Sequence, residues 1–182
     1  VVLNSPRPDV VASAIAELEH QAEVAQWINA DVINIHGGGG YGDKPGAIKR
    51  FERNAAKLSD RVLERLTLEN DDKTYTPSDL YPLCKSLSIP LVYDVHHHRC
   101  NPDAWDEAEA TQRALRTWRR KPLFHISSPR DGWDGPQPAR HHDYIDESDF
   151  PMVWRSHDLT IEVEAKAKEL AVRRLRSHLD AT

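Results

Sequence analysis

Imidazole and carboxylate side chains stand at the carboxyl ends of five short apolar segments that read as β-strands. Each segment contributes one residue: His36, Glu69, Asp94, His125 and Glu164. Any one of them alone is more often a hydrogen-bonded core or capping group than a ligand. Five such residues at five strand ends instead favour a shared metal centre, because the carboxyl ends of parallel strands converge on one face of a β/α barrel.

Further imidazoles follow two of these positions. Three consecutive histidines come after Asp94, and we favour His97, three residues after Asp94, with His96 as the second choice. His141, in a long segment after the fourth strand, is another candidate. Imidazole and carboxylate donors without a thiolate suit Mn²⁺, Zn²⁺ or Fe²⁺. Two or three such ions close together are the usual machinery of phosphodiester hydrolysis, so the set predicts this chemistry.

A glycine run, Gly37–Gly40, lies directly after the first of these strand ends. Glycines between a strand and a helix let backbone N–H groups approach an anion, which would make the segment a phosphate cradle. The segment lacks the spacing of the nucleotide-binding motifs, and a flexible turn explains the glycines equally well. Both alternatives stay open at this point.

Short apolar, β-branched segments alternate with longer amphipathic ones along the chain, a pattern typical of β/α units with a parallel sheet. The predicted strands are 31–36, 66–69, 90–95, 122–126 and 159–164. The predicted helices are 9–27, 47–58, one starting at Thr76-Pro77, 104–119 after Asn101-Pro102, and 165–178. This order fits a run of units from a (β/α)₈ barrel or a doubly wound sheet. Residues 127–150 form a long loop, and such loops are usually functional.

The composition is that of an ordinary globular chain, with 182 residues, 39% hydrophobic residues and a formal charge of −5. This length fits one domain of roughly 100 to 200 residues. No stretch approaches the roughly 20 apolar residues of a membrane span, and two cysteines cannot form a disulfide framework. We therefore expect a soluble, cytoplasmic protein. The chain starts at Val1 without an initiator methionine, which suggests a fragment.

The segments around the strand ends resemble the UV damage endonuclease family. The resemblance is carried by Leu3–Pro6, Ile33–Gly38, Tyr41–Lys44, Arg65–Asp72, Pro90–His97, His125–Ser128 and Glu164–Lys168. It extends over nearly the whole chain, and the LTLENDD and YDVHHH blocks together are its most specific part. The resemblance implies a TIM-barrel DNA repair enzyme that uses a cluster of manganese ions to nick DNA 5′ of UV photoproducts and other distorting lesions.

The resemblance also implies a ligand set that agrees with the strand ends, selects His97 over His96 and includes the loop histidine. The implied metal ligands are His36, Glu69, Asp94, His97, His125, His141 and Glu164. The carboxylates among them are the implied catalytic residues. The implied cofactor is two or three Mn²⁺ ions, with Zn²⁺ or Fe²⁺ as alternatives.

Two features depart from the family pattern. Leu123 replaces a lysine that many relatives carry two residues before the histidine of the HISS block, and Lys121 would share a strand face with Leu123. The family also has a barrel start before Leu3–Pro6. The expected architecture is therefore a single α/β domain, residues 1–182, forming TIM-type (β/α) repeats in an incomplete barrel that lacks the first strands. It is about 70 residues short of the roughly 250 of a full barrel.

The expected partner is damaged double-stranded DNA. The side chains expected to contact it are Tyr41, Lys44, Arg99 and Arg130. The acidic net charge does not exclude this partner, because bound divalent ions would offset the acids where the phosphate must dock. We further expect a monomer that acts inside the cell, at the nucleoid.

Two other functions fit the same strand-end residues. A sugar isomerase or epimerase on this barrel would use the metals to polarise a carbonyl and a hydroxyl instead of a phosphate. An inactive remnant of the endonuclease, binding metal or DNA weakly, would account for the missing barrel strands. Turnover of a free sugar would decide for the first, and a longer natural protein would reject the second.

Overall fold

A computed structural model describes residues 1–181 and contains five short strands separated by helices. The strands are β1 (Ile33–His36), β2 (Leu66–Glu69), β3 (Leu91–Asp94), β4 (Leu123–Ile126) and β5 (Thr160–Val163). They pair in chain order, and every pairing is parallel. Parallel strands in sequence order are typical of a β/α barrel, whereas a doubly wound sheet reverses its order at a switch point. The prediction of TIM-type repeats is confirmed.

The sheet is open. Within residues 1–181, β1 and β5 each have one strand neighbour, so the five strands do not close on one another. This agrees with the expected incomplete barrel. The carboxyl ends of all five strands lie along one edge of the sheet, where active sites are built in this architecture.

In the described residues 1–181, seven α-helices and two 3₁₀ helices flank the strands. They are α1 (Pro8–Ile28), α2 (Lys44–Ala55), α3 (Asp60–Leu63), α4 (Pro77–Leu87), α5 (Val95–Cys100), α6 (Glu107–Leu115) and α7 (Glu169–Ala181), with 3₁₀ turns at Glu147–Asp149 and Met152–Ser156. In α1, apolar residues three and four positions apart turn one face to the core. No helix within residues 1–181 has the length and apolar character needed to cross a bilayer.

The predicted start of α4 is confirmed, and its cap is complete. The Thr76 hydroxyl accepts a hydrogen bond from the Asp79 N–H, and the Asp79 side chain accepts one from the Thr76 N–H. Pro77 occupies the first turn, where its missing N–H leaves no intrahelical bond unmade. This reciprocal capping box fixes where the chain leaves β2 and enters the helix.

Three other predicted helix starts are wrong. The helix α2 begins at Lys44, three residues before the predicted position 47. The Asn101-Pro102 start is displaced because Asp106 caps α6 by accepting from the Glu109 N–H at 2.7 Å. Asp103 instead accepts hydrogen bonds from the main chain of α4 and of its own loop. The last helix begins four residues later than expected, at Glu169 instead of residue 165, because residues 164–168 form a loop on the carboxyl edge.

The core lies between the strands and the helix layer. Tyr93, Phe124 and Trp154 are buried and meet with ring centroids 5.4–6.1 Å apart, in the tilted and edge-on arrangements that aromatic pairs prefer. The Trp154 indole N–H donates to Thr111 Oγ1 at 2.9 Å, so its polar atom is satisfied in the interior. This cluster backs β3 and β4, the two central strands that lead to Asp94 and His125.

Candidate metal centre

Strand register places the predicted ligands side by side. His36 pairs with Glu69 across β1 and β2, and Asp94 pairs with His125 across β3 and β4. Glu164 directly follows β5, and its N–H donates to Ile126 at the end of β4. The five strand ends therefore bring their donor side chains to one edge of the sheet, as predicted.

Glu69 lies at the middle of the cluster and is 3% exposed. Its Oε1 atom is 3.3 Å from His97 Nδ1 and 3.3 Å from His125 Nδ1, and its Oε2 atom is 3.9 Å from His36 Nε2. The Asn34 amide donates to Oε2 from the same strand as His36. One buried carboxylate thus faces three imidazoles.

Asp94 caps the helix that follows it. Its Oδ1 atom accepts from the His97 N–H at 2.8 Å, and its Oδ2 atom is 3.4 Å from His97 Nδ1. The Asn70 side chain pairs with the main chain of Asp94 through bonds of 2.8 and 3.0 Å. Because α5 begins directly at the end of β3, the cap turns the His97 ring toward Glu69.

His125 and the loop residue His141 lie beside Glu164, at the end of the cluster next to β5. His125 Nδ1 is 3.2 Å from Glu164 Oε1, and its Nε2 is 3.4 Å from Glu162. His141 Nδ1 is 3.7 Å from Glu164 Oε2, so the long loop does return an imidazole to the strand ends. A bridge between Pro129 and His141 holds this part of the loop.

The titration behaviour of the cluster follows from this packing. Burial lowers the pKa of His97, but the Glu69 and Asp94 carboxylates outweigh it and raise that pKa to about 9. Burial also lowers the pKa of His125. The Glu162, Glu164 and Glu69 carboxylates outweigh this effect and raise that pKa to about 12. Without a metal ion, protonated imidazoles therefore balance the buried negative charge.

The donors fit divalent ions. Three groups of donor atoms each lie within 4.8 Å of one another: His36, Glu69 and His97; His97, His141 and Glu164; and Glu69, Asp94, His125 and Glu164. Among the residues of these three groups, four buried atoms have no hydrogen-bond partner, namely Glu69 Oε1, Asp94 Oδ2 and both ring nitrogens of His125. Buried polar atoms are normally satisfied, so these atoms are available for a ligand. The groups share members, which suits more than one ion.

The other two histidines of the triplet have different surroundings. His98 bonds to the Tyr93 hydroxyl at 2.8 Å and to Asp103 at 3.2 Å, which ties α5 to its neighbours. His96 is fully buried between the rings of Trp133 and His141, each 5.2 Å away, and belongs to none of the three donor groups. The geometry therefore agrees with the preference for His97, whose role as a ligand stays a prediction.

The glycine run is a tightly packed turn. A Cβ on Gly37 would lie 2.7 Å from the Tyr75 ring, and Gly38 has a φ of +81°. The Gly39 carbonyl accepts from the Asn4 amide and the Tyr75 hydroxyl. The following helix is capped by its own Asp43 carboxylate. The start of that helix is therefore occupied by a carboxylate, which argues against a phosphate at the helix end, and the glycines themselves allow a close approach of Tyr75 and a positive φ.

The residues expected to contact DNA differ in how they are presented. Tyr41 is 48% exposed, and Arg50 lies over its ring. Lys44 pairs with Asp79 at 2.7 Å. Arg130 is exposed and pairs with the adjacent Asp131.

Arg99 is held by the protein itself. Its guanidinium donates to both carboxylate oxygens of Glu107 and to the Asp149 carbonyl. These bonds fasten α5 to the loop, and a contact of Arg99 with DNA stays a prediction. The Lys121 ammonium group pairs with Asp158 at 2.5 Å, near the amino end of the sheet.

Sequence reasoning missed the amides that hold the ligands. Asn34 bonds to Glu69 and accepts from the Thr67 hydroxyl at 2.9 Å. Asn70 holds Asp94 and accepts from His97 Nδ1 through its carbonyl at 3.0 Å. Only the position two residues before His36, on the same strand face, could have pointed to Asn34.

Comparison with known proteins gives a consistent result. A family model described as UV-endonuclease UvdE matches residues 1–182. The UV DNA damage endonuclease of Bacillus velezensis is 36% identical over 192 residues, which cover 99% of this chain and 59% of that protein. The UV-damage endonuclease of Neurospora crassa is 39% identical over 193 residues, covering 93% of this chain and 28% of that protein.

Solved structures agree. The crystal structure of SacUVDE superposes with a TM-score of 0.89 at 29% identity and covers all of this chain and 62% of that one. The apo form of 3-keto-D-glucoside 4-epimerase, YcjR, from E. coli gives a TM-score of 0.68 at 12% identity, covering 98% and 73%, and shows the shared fold alone. The chain spans 59% of the length of the Bacillus velezensis relative. With a family model matching from end to end and donor side chains gathered at the strand ends, the chain belongs to the UV-endonuclease UvdE family.

Proposed function

We propose that this chain carries a metal-dependent endonuclease centre that nicks DNA on the 5′ side of UV photoproducts and other lesions. The observation that supports it is the buried Glu69 carboxylate facing three imidazoles, in a chain matched by the UvdE family model over residues 1–182. The substrate class comes from the relatives, whose names specify UV-damaged DNA.

The proposed cofactor is two or three Mn²⁺ ions, with Zn²⁺ or Fe²⁺ as alternatives that suit the same donors. The residues proposed to hold them are His36, Glu69, Asp94, His97, His125, His141 and Glu164. Divalent ions in such a site activate water, bind the phosphate oxygens and stabilise the leaving oxygen of a phosphodiester. Glu69, Asp94 and Glu164 are the proposed catalytic carboxylates, and Glu69 is placed to serve two donor groups at once.

The chain's own residues prepare the centre for this chemistry. Asn34 and Asn70 hold Glu69 and Asp94 in fixed orientations, so little rearrangement is needed when ligand binds. The side chains of Glu69 and Asp94 are 4% and 0% exposed, whereas that of His36 is 50% exposed. The centre is therefore buried on the side of Glu69 and Asp94 and accessible to a phosphate on the side of His36.

The activity would be exercised on duplex DNA inside the cell, at the nucleoid, by a monomer. These three statements extend the family assignment to the chain's partner, location and assembly. Light scattering across a tenfold range of protein concentration tests the last of them, and a mass that rises with concentration would contradict it.

A nicking assay tests the function. The 182-residue chain is incubated with Mn²⁺ and a duplex oligonucleotide that carries one photoproduct. The expected product is a single cut 5′ of the lesion, absent without metal and absent in a Glu69→Gln, Asp94→Asn double variant. The matched control is Glu23→Gln, Asp31→Asn, which makes the same charge change at two exposed positions away from the centre. Cutting that persists in the first variant would contradict the proposal.

The two alternatives are decided by the same preparation. The epimerase neighbour shares the fold at 12% identity, which gives no support to sugar chemistry here. Conversion of a free ketose or aldose without DNA cutting would nevertheless replace the proposal. Metal binding at the predicted residues without any nicking would indicate the inactive remnant.

A further inference from the structure

A cavity of about 720 Å³ opens beside the metal centre, at the carboxyl ends of β4 and β5. His141 and Glu164, both members of the centre, form part of its wall. The rest of the wall is unusually basic. The basic residues that line it are Arg130, Arg140, Lys166 and Lys168.

Three of these cations have no carboxylate within ion-pairing distance in residues 1–181, although the Asp131 carboxylate interacts electrostatically with Arg140 and Lys166. Arg140, Lys166 and Lys168 are exposed, and none of them makes an ion pair with another residue in the range 1–181. Arg130 differs because Asp131 occupies its guanidinium at 2.6 Å. The chain has a formal charge of −5, so this group of cations beside the proposed metal centre is opposite in sign to the average charge.

Main-chain hydrogen bonds fix the two segments that carry these cations. The Lys166 N–H donates to the His142 carbonyl at 3.2 Å, and the Arg130 N–H donates to the Arg140 carbonyl at 2.6 Å. Lys168 has a φ of +51°, in the left-handed region, where the loop turns into α7. The cations are therefore held by anchored backbone next to His141 and Glu164, and only their side-chain tips are free to adapt.

We infer that this cavity is a phosphate-binding subsite that holds the DNA strand next to the phosphodiester in the metal centre. Arg140, Lys166 and Lys168 contact the backbone oxygens there. The inference rests on the proposed function, because it takes the DNA backbone as the ligand. Contacts of this kind position the duplex without reading its sequence, and each one releases condensed counterions. They therefore hold undamaged and damaged duplex alike.

Salt-dependent DNA binding tests the inference. Anisotropy titrations with a labelled, undamaged duplex are repeated over a range of salt concentrations for the wild-type chain and for a Lys166→Gln, Lys168→Gln double variant. Each lost phosphate contact lowers the magnitude of the slope of log K against log salt by about 0.9, so two contacts lower it by about 2. At about 0.1 M salt the same arithmetic gives a loss of affinity on the order of 10-fold per lysine.

Two controls give the result its meaning. The Lys85→Gln, Arg119→Gln variant removes the same number of exposed cations at the amino end of the sheet and is expected to leave the slope unchanged. The Lys166→Arg, Lys168→Arg variant keeps the charges and is expected to restore it. Metal content is unaltered in all of them, because no proposed ligand is changed.

An unchanged slope in the Lys166→Gln, Lys168→Gln variant, an equal fall in the Lys85→Gln, Arg119→Gln control, or no DNA binding by the wild type would each overturn the subsite. The proposed function fails separately. A wild-type chain that binds duplex with the expected slope but does not nick it leaves the subsite standing and removes the endonuclease. Normal nicking with an unchanged slope in the lysine variant removes the subsite alone.

Discussion

At the scale of single residues, Asn34 is the side chain whose position beside Glu69 was hardest to predict from the sequence. It touches Glu69 and is itself held by Thr67, yet it carries no charge and offers the centre no imidazole or carboxylate. Residues that orient a metal ligand typically contribute a factor of about 10 to 100 to metal affinity.

The first prediction concerns this residue. Asn34→Ala is expected to weaken Mn²⁺ binding by about 10- to 100-fold, because Glu69 loses the donor that fixes its Oε2 atom. Thr67→Val, one contact further away, is expected to act in the same direction and less strongly. Calorimetric titration of the metal-free protein measures both, and an affinity within twofold of wild type for Asn34→Ala would contradict the assignment.

The residue types at the strand ends predicted where the candidate metal-ligand atoms come together, because imidazoles and carboxylates are common metal ligands. Amides such as Asn34 and Asn70 do not, and their partners are known only once neighbouring strands pair. The choice among His96, His97 and His98 depended on a helix of six residues that starts directly at Asp94. Helices this short have weak sequence patterns, so the three ring directions were not predictable from spacing alone.

At the scale of elements, Asp149 connects three segments around the centre. Its carboxylate accepts from the Ser128 hydroxyl at 2.5 Å and from the Trp133 indole at 2.8 Å, and its carbonyl accepts from Arg99. Ser128 follows β4, Trp133 lies in the long loop, and Arg99 lies on α5. Asp149 and Ser128 are 6% and 3% exposed, so the Ser128 hydroxyl would lose a buried acceptor if the carboxylate were removed.

We expect Asp149→Ala to lower the free energy of unfolding by about 1 to 3 kcal/mol, the penalty for leaving the buried Ser128 hydroxyl without this acceptor. Urea denaturation measures this. Because Trp133 lies 5.2 Å from His96 and loses its indole partner, a change in tryptophan emission is expected as well. Asp158→Ala, on an exposed aspartate, is the control, and equal losses in the two variants would contradict the connecting role.

A second element-scale prediction concerns the contact between α1 and α3. The Ser59 N–H and hydroxyl donate to Glu19 at 2.9 and 2.7 Å, and Arg61 lies 3.2 Å away. The Ser59 N–H bond is the main reason that the pKa of Glu19 is lowered. A carboxylate with a lowered pKa in the folded state stabilises the fold above its ordinary pKa and loses that effect as the pH falls.

Glu19→Gln is therefore expected to be less stable than wild type at pH 7, and the difference is expected to shrink once the pH falls below the ordinary glutamate pKa of 4.5. Urea denaturation at a series of pH values measures it. Glu23→Gln, on an exposed glutamate of the same helix, should show no such pH-dependent difference. A gap between Glu19→Gln and wild type that stays constant down to pH 3 would rule out this carboxylate as its origin.

Helix starts show what local sequence does and does not determine. Thr76-Pro77 was predictable because its cap lies within four consecutive residues and needs no tertiary partner. Asn101-Pro102 has a similar sequence pattern, but Asp103 forms hydrogen bonds with Ser78 and His98 on other elements. Asp106 caps the helix instead, so the helix begins after it. Hydrogen bonds to other elements therefore outweighed the local preference for a helix start at Asn101-Pro102. Such bonds cannot be predicted from a local sequence pattern.

At the scale of the whole molecule, we expect metal binding to stabilise the fold. Glu69 and Asp94 are buried acceptors with unpartnered oxygens, and an ion that binds the folded chain and not the unfolded one adds stability. We expect EDTA treatment to lower the melting temperature and Mn²⁺ to restore it, with about 2.7 kcal/mol gained at 100 times the dissociation constant. A Glu69→Gln variant is expected to show little response to Mn²⁺. Equal melting temperatures with and without metal would contradict the coupling.

The parallel register described above has one more consequence. His36 and Glu69 are direct neighbours across one strand pair, and Asp94 and His125 across another, so backbone hydrogen bonds set the spacing between these donors. Neighbouring strands stand roughly 4.8 Å apart whatever side chains they carry. Exchanging imidazole for carboxylate at these positions would therefore change which ion is preferred without changing where the donors stand. We therefore expect that the ion preference of the proposed centre can be changed by substituting these side chains, while the sheet keeps the positions of their Cα atoms.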